Sequence, residues 1–131
     1  MVRPRHNNPT PAELEVLQII WEHGPCTVRE VMTLLRSKRH RAYTSVMSLM
    51  SVMAVKGLLN PKPKGRAFIY SAKVSRDKTQ SSMLRDLLNR AFDGSANALV
   101  AQLLEHAEPN SEELDEIHKT ITRFTRKKGG A

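Results

Sequence analysis

AYTSVMSLMSVMAVKGLLNPKPKGRAFIYS, residues 42–71, carries the pattern that decides the fold. Its first half reads as a helix from about Ala42 to Lys56. Val46, Leu49, Met50 and Met53 recur at i, i+3, i+4 and i+7, so they share one face. Rotation by about 100° per residue puts Thr44, Ser48, Ser51 and Val55 on the opposite face, which bears no acid. Gly57 closes the helix. Leu58-Leu59-Asn60-Pro61-Lys62-Pro63 is extended by virtue of its prolines. Lys64-Gly65-Arg66 is a turn, and Ala67-Phe68-Ile69-Tyr70-Ser71 is rich in β-formers. The stretch therefore predicts a helix that runs into a short hairpin with a basic tip.

Two further helices precede it. Thr10-Pro11-Ala12-Glu13 combines a capping residue, a proline at the first helical position and a glutamate that can close a capping box. Leu14, Leu17, Ile20 and Trp21 follow at helical spacing, widened by Val16 and Ile19, up to Gly24-Pro25. Thr27-Val28-Arg29-Glu30 repeats the capping-box pattern, and Val31, Leu34 and Leu35 give a short second helix. The segment from Arg36 to Arg41 reads as a compact charged turn.

Three more helices follow the hairpin. One runs from near Ser75 to Asp93, with Leu84, Leu87, Leu88, Ala91 and Phe92 on a stripe. The next runs from Ser95 to His106, with Leu99, Val100, Leu103 and Leu104 apolar. The last is capped by Asn110 or Ser111 and carries Leu114, Ile117, Ile121 and Phe124 spaced 3, 4, 3. The expected organisation is a flexible arm at 1–9, a winged helix-turn-helix at 10–74, a helical region at 75–125 and a basic disordered tail at 126–131. The fold class is mainly α: three helices plus a short β-hairpin wing, then C-terminal dimerisation helices.

Charge separates the halves. The chain has 131 residues and a net charge of +8. Residues 1–78 hold 14 Lys and Arg against 5 Asp and Glu, a net +9; residues 79–131 hold 7 against 8, a net −1. No acid occurs between Glu30 and Asp77, a span with ten basic residues. Such a surplus points to a polyanion. Helix-turn-helix logic places the third helix in the DNA major groove, with short hydroxyls allowing close approach. The candidate DNA contacts are Arg39, Arg41, Tyr43, Thr44, Ser45, Ser48 and Ser51 on or before that helix, and Lys62, Lys64 and Arg66 on the hairpin. Tyr43 can equally be a core-edge residue, and each hydroxyl taken alone is an ordinary solvated side chain.

Other chemistry finds little support. The lone Cys26 excludes an intrachain disulfide or a multi-cysteine metal site, and it reads as a small apolar residue beside the Gly-Pro turn. The five histidines show no ligand spacing, so no metal or other cofactor is expected. No phosphate loop, paired-carboxylate site or nucleophile motif appears, so no catalytic residue is assigned. A basic RNA-binding or ribosome-associated protein is the alternative, disfavoured by aromatics at only 5%. No apolar run long enough for a membrane span or signal core is present, and the expected compartment is the cytoplasm.

The last three helices can fold back onto the domain before them or bury their stripes against a second chain. Near-neutral charge favours protein contact, and a two-fold dimer would set two reading helices about one DNA turn apart. The candidate interface is Leu84, Leu88, Phe92, Leu99, Leu103, Leu114, Ile117, Ile121 and Phe124.

Ala42-Tyr43-Thr44-Ser45-Val46-Met47, Lys56-Gly57-Leu58-Leu59 and Gly65-Arg66-Ala67-Phe68-Ile69-Tyr70 resemble the penicillinase-repressor family (BlaI, MecI and CopY-like). Glu13-Leu14-Glu15-Val16-Leu17, Ile20-Trp21, Thr27-Val28-Arg29-Glu30-Val31, Asn97-Ala98-Leu99-Val100 and Ser111-Glu112-Glu113-Leu114 also fit. The resemblance spans about residues 10–124. It implies a winged-helix repressor that dimerises through its C-terminal helices and binds palindromic operators. Thr44, Ser45 and Ser48 would be the base-proximal residues, with Lys64 and Arg66 on the wing. Three departures stand out. Val52 occupies a position where the family often has a basic residue. The Asn-Phe bond cleaved for induction in the β-lactam branch matches Gln102-Leu103, the candidate proteolytic switch, whose partner would be a sensor metalloprotease. The C-terminal cysteine cluster of the copper-responsive branch is absent.

Overall fold

The computed structural model describes residues 8–35 and 41–129. In chain order the elements are α1 (Pro11–His23), β1 (Cys26–Thr27), α2 (Val28–Leu35), α3 (Tyr43–Lys56), β2 (Leu59–Lys64), β3 (Ala67–Ala72), α4 (Arg76–Ala91), α5 (Ala96–Ala107) and α6 (Ser111–Gly129). The strands form an antiparallel sheet in the order β1-β3-β2. This is the winged helix-turn-helix that the 42–71 stretch predicts. The charged turn expected at Arg36–Arg41 lies, apart from Arg41, outside the described residues.

Local chemistry sets the helix starts. Thr10 Oγ1 accepts from the Glu13 N–H at 3.2 Å, and Glu13 Oε1 accepts from the Thr10 N–H at 2.9 Å, a reciprocal capping box. Thr27 and Glu30 repeat it at the start of α2, at 3.2 and 2.8 Å. At the far end of α3, Gly57 adopts φ +87°, and its N–H returns to the carbonyls of Ala54 and Met53. A side chain there would meet the left-handed conformational penalty.

The wing follows from proline placement and a tight turn. Pro61 pairs with Tyr70 and Pro63 with Phe68 along the β2–β3 ladder. β2 is an edge strand, so the two missing N–H donors can point away from the ladder. Lys64 pairs with Ala67, leaving Gly65-Arg66 as a two-residue turn with Gly65 at φ +62°. A positive φ at the first central position is what a type II′ hairpin turn requires.

Val16, Leu17 and Ile20 of α1 pack with Val31 and Leu35 of α2, Val46, Met50 and Met53 of α3, and Leu59 and Tyr70 of the sheet. Cys26 is buried beside them in β1, opposite Tyr70. Burial raises its thiol pKa and the Glu30 carboxylate adds to the effect, so the inert thiol form prevails. Trp21 is half-buried at the core edge, where its Nε1–H donates to the Val74 carbonyl at 2.9 Å.

One ion pair ties the beginning of α1 to the end of α3. Lys56 Nζ lies 2.8 Å from Glu13 Oε2 and 3.0 Å from Oε1. Burial alone would raise the Glu13 carboxyl. The hydrogen bond from Lys56, the Thr10 N–H and the Lys56 charge together outweigh it and hold the group below its ordinary value of 4.5. Stability from a lowered carboxylate is complete above the unfolded value and is lost as pH falls through the folded one. Glu13→Gln is therefore expected to destabilise the chain at pH 7 by about 2 kcal/mol, tempered because the ammonium is partly in water. The difference should shrink below about pH 4. Urea melts at pH 7 and pH 3.5 check this; an equal difference at both pH values would contradict it.

The chain divides into two compact units between Arg85 and Asp86, within α4. The first turns of α4 belong to the first unit because they are fastened to the winged helix: Thr79 is buried, Arg76 stands over the Trp21 ring at 5.7 Å to the centroid, and Ser82 Oγ donates to Asn8 Oδ1 at 2.7 Å.

In the second unit, Ser95 caps α5 and Asn110 caps α6 through the N–H groups of Ala98 and Glu113. α6 runs on through Arg126, Lys127 and Lys128 to Gly129. No helix breaker intervenes, and three basic residues in the last turn suit the negative end of the helix dipole. No described residue from Asp86 onward is buried. Phe124 is 64% and Ile121 53% exposed, and Leu84, Leu103 and Leu114 are exposed as well. Leu88, Phe92, Leu99 and Ile117 are half-buried.

Candidate nucleic-acid interface

α3 turns its stripe of Val46, Met50 and Met53 inward, so its outer face is set by elimination. Thr44, Ser45, Ser48 and Ser51 are exposed there, together with Met47, Val52 and Val55. Tyr43, at the first helical position, is exposed at the rim. Arg41 is half-buried just ahead of the helix. Arg39 falls outside the described residues.

The start of α3 differs from the other helix starts. Thr10, Thr27, Ser75, Ser95 and Asn110 each cap a helix with a side-chain oxygen. Ala42 occupies that position before α3 and provides no side-chain acceptor. Among the described residues no side chain caps the first-turn N–H groups of α3, and the dipole there favours an anion.

On the wing, Lys62 and Lys64 are cross-strand partners of Ile69 and Ala67, so they share one face of the hairpin. Pro61, Pro63, Phe68 and Tyr70 share the other. Arg66 is exposed in the turn. Glu30, in the first turn of α2, feels the charge of Lys64. The Thr27 N–H chiefly holds its carboxyl below the ordinary value, and the Lys64 charge contributes, which locates Lys64 near the start of α2.

The structure adds a residue that the sequence pattern does not single out. Arg29, in the first turn of α2, stands over the Tyr43 ring with its guanidinium 5.2 Å from the centroid. Arg29, Tyr43, Met47, Arg66 and Phe68 line a groove of about 400 Å³ between α2, α3 and the wing. In the sequence Arg29 is merely the third residue of a capping box, and no local signal connects it with Tyr43. Thr44, Ser48 and Ser51 thus share the outer face of α3, with Tyr43 and Ser45 at its two edges; Arg66 lines the groove from the hairpin turn, and Lys62 and Lys64 stand on β2. Among the described residues no His, Cys, Asp and Glu group is arranged to hold a metal ion. No described helix is long and apolar enough to cross a membrane.

Gln102 and Leu103 are exposed in the middle of α5, and Gln102 Oε1 is hydrogen-bonded to His106 Nε2 at 3.0 Å.

Comparison with known proteins agrees with this architecture. The penicillinase repressor of Bacillus licheniformis is 26% identical over 117 residues, 89% of this chain and 91% of that protein. The transcriptional regulator BlaI of Mycobacterium tuberculosis is 29% identical over 114 residues, covering 86% of this chain and 81% of its own length. A crystal structure of a Thermotoga maritima transcriptional regulator covers 93% of this chain and 80% of its own at a TM-score of 0.52, with 18% identity, and shares the fold. The family model for penicillinase repressors matches residues 9–123, and the chain belongs to that family.

Proposed function

We propose that this chain is a dimeric, sequence-specific DNA-binding transcriptional repressor that recognises palindromic operators. The observation that carries the reading is the face of α3: hydroxyl and apolar side chains, free of acid, beginning at a helix end without a side-chain cap, with Arg41 just ahead of it and Arg29 and Arg66 in the groove beside it. A helix bearing short side chains fits the major groove, and cations beside it match a phosphate strand. The relatives' names, penicillinase repressor and transcriptional regulator, support the same reading.

Dimerisation is supported by the second unit. A helical segment with no buried residue cannot offset the entropy of ordering its backbone alone. Leu103, Leu114, Ile121 and Phe124 leave apolar surface that a second copy would cover. Cutting at Gln102-Leu103 by a sensor metalloprotease would require α5 to unwind first, since proteases take their substrates extended. Such a switch would act on a chain whose interface is already open.

Selection of duplexes from a random pool by the full chain tests the proposal. The expected product is an inverted repeat whose half-sites lie about one helical turn, or a multiple of it, apart. Recovery of unrelated duplexes, or displacement of duplex by structured RNA, would contradict it.

A further inference from the structure

From Tyr43 to Val55, α3 contains no Arg, Lys, Asn or Gln, and its single cation, Lys56, is engaged with Glu13. Those absent residues are the ones that hydrogen-bond guanine or adenine edges in a bidentate way. Serine and threonine hydroxyls bond to any base edge and discriminate weakly. What remains for direct readout is apolar contact, for which the major groove offers one partner, the thymine methyl.

The outer face supplies that contact. Val55 is 88% and Val52 51% exposed, although the core stripe of α3 is complete without either. Ser48, Val52 and Val55 follow at i, i+4 and i+7, so the two valines continue the line of hydroxyls that starts at the uncapped helix end. Cations on the wing and in α2 stand beside this face and can hold it against phosphates. We infer that α3 selects operators by burying thymine methyl groups against Val52 and Val55, not by bidentate hydrogen bonds to guanine or adenine. The inference rests on the DNA-binding reading above and gives it a sequence preference: A·T pairs under the second half of α3.

The test uses the full chain and the duplex it selects from a random pool, with each thymine replaced in turn by uracil, which removes only the methyl. Wild-type affinity is expected to fall about three- to fivefold at one or two thymines in each half-site, the effect of one buried methyl. In Val52→Ala or Val55→Ala, the same uracil substitutions should become neutral while the unmodified duplex binds less tightly. Both valines are exposed, so these variants retain the fold. Uracil tolerated at every position, with specific binding intact, would overturn the inference and leave the DNA-binding reading standing. Uracil losses that persist unchanged in both valine variants would overturn it as well, because the contact would then lie off this face. No preference for any duplex over random sequence would overturn both readings.

Discussion

Ile121→Asp is expected to convert the chain to a monomer in sedimentation equilibrium and to weaken binding to the selected inverted repeat by a hundredfold or more. Ile121 is half-exposed within one chain, so the carboxylate costs the isolated protomer little. In a dimer sealed by the apolar stripe of α6 it would be an unpaired charge among Leu114, Ile117 and Phe124, which costs several kcal/mol. Operator affinity falls with it, because the second half-site then has to be bound from solution instead of at the high effective concentration of a linked partner. Binding to a single half-site should be unchanged. A variant that remains dimeric would move the interface off α6.

The second large effect belongs to the wing. Replacing Lys62, Lys64 and Arg66 together by Ala is expected to weaken half-site binding by about a hundredfold at 0.15 M salt, with each lost phosphate contact contributing roughly fivefold. The log–log salt slope should become shallower by about three per protomer. The side chains are exposed and sit on an edge hairpin, so thermal stability should hardly change. Base preference should survive, because phosphate contacts position the protein and carry little sequence information. A loss of affinity with an unchanged salt slope would mean that the wing does not touch the backbone.

How much of this was legible in the sequence varies with the range of the interaction. The capping boxes of Thr10 with Glu13 and Thr27 with Glu30 close within three residues, and both form as the pattern predicts. The inward stripe of α3 and the hairpin turn at Gly65-Arg66 are equally local and were equally readable. β1 was not, because two residues have no periodicity and exist as a strand only through pairing with Ile69 and Tyr70. The Glu13–Lys56 pair and the Arg29–Tyr43 contact escaped for the same reason: each joins residues brought together only by the packed fold. The division at Arg85 depends on α4 being fastened through Thr79 and Ser82 to the first unit, which its own sequence does not announce. Of the candidate site, the α3 face and the wing cations were readable from spacing and charge. Arg29 and the groove it lines were not.

Sequence-specific DNA binding is tested most directly by titrating the full chain, followed by fluorescence anisotropy, against its selected inverted repeat and a scrambled duplex of equal length at several salt concentrations. The repeat is expected to bind at least about a thousandfold more tightly than the scramble, with both affinities falling steeply as salt rises. Equal affinity for the two duplexes, or affinity indifferent to salt, would contradict it.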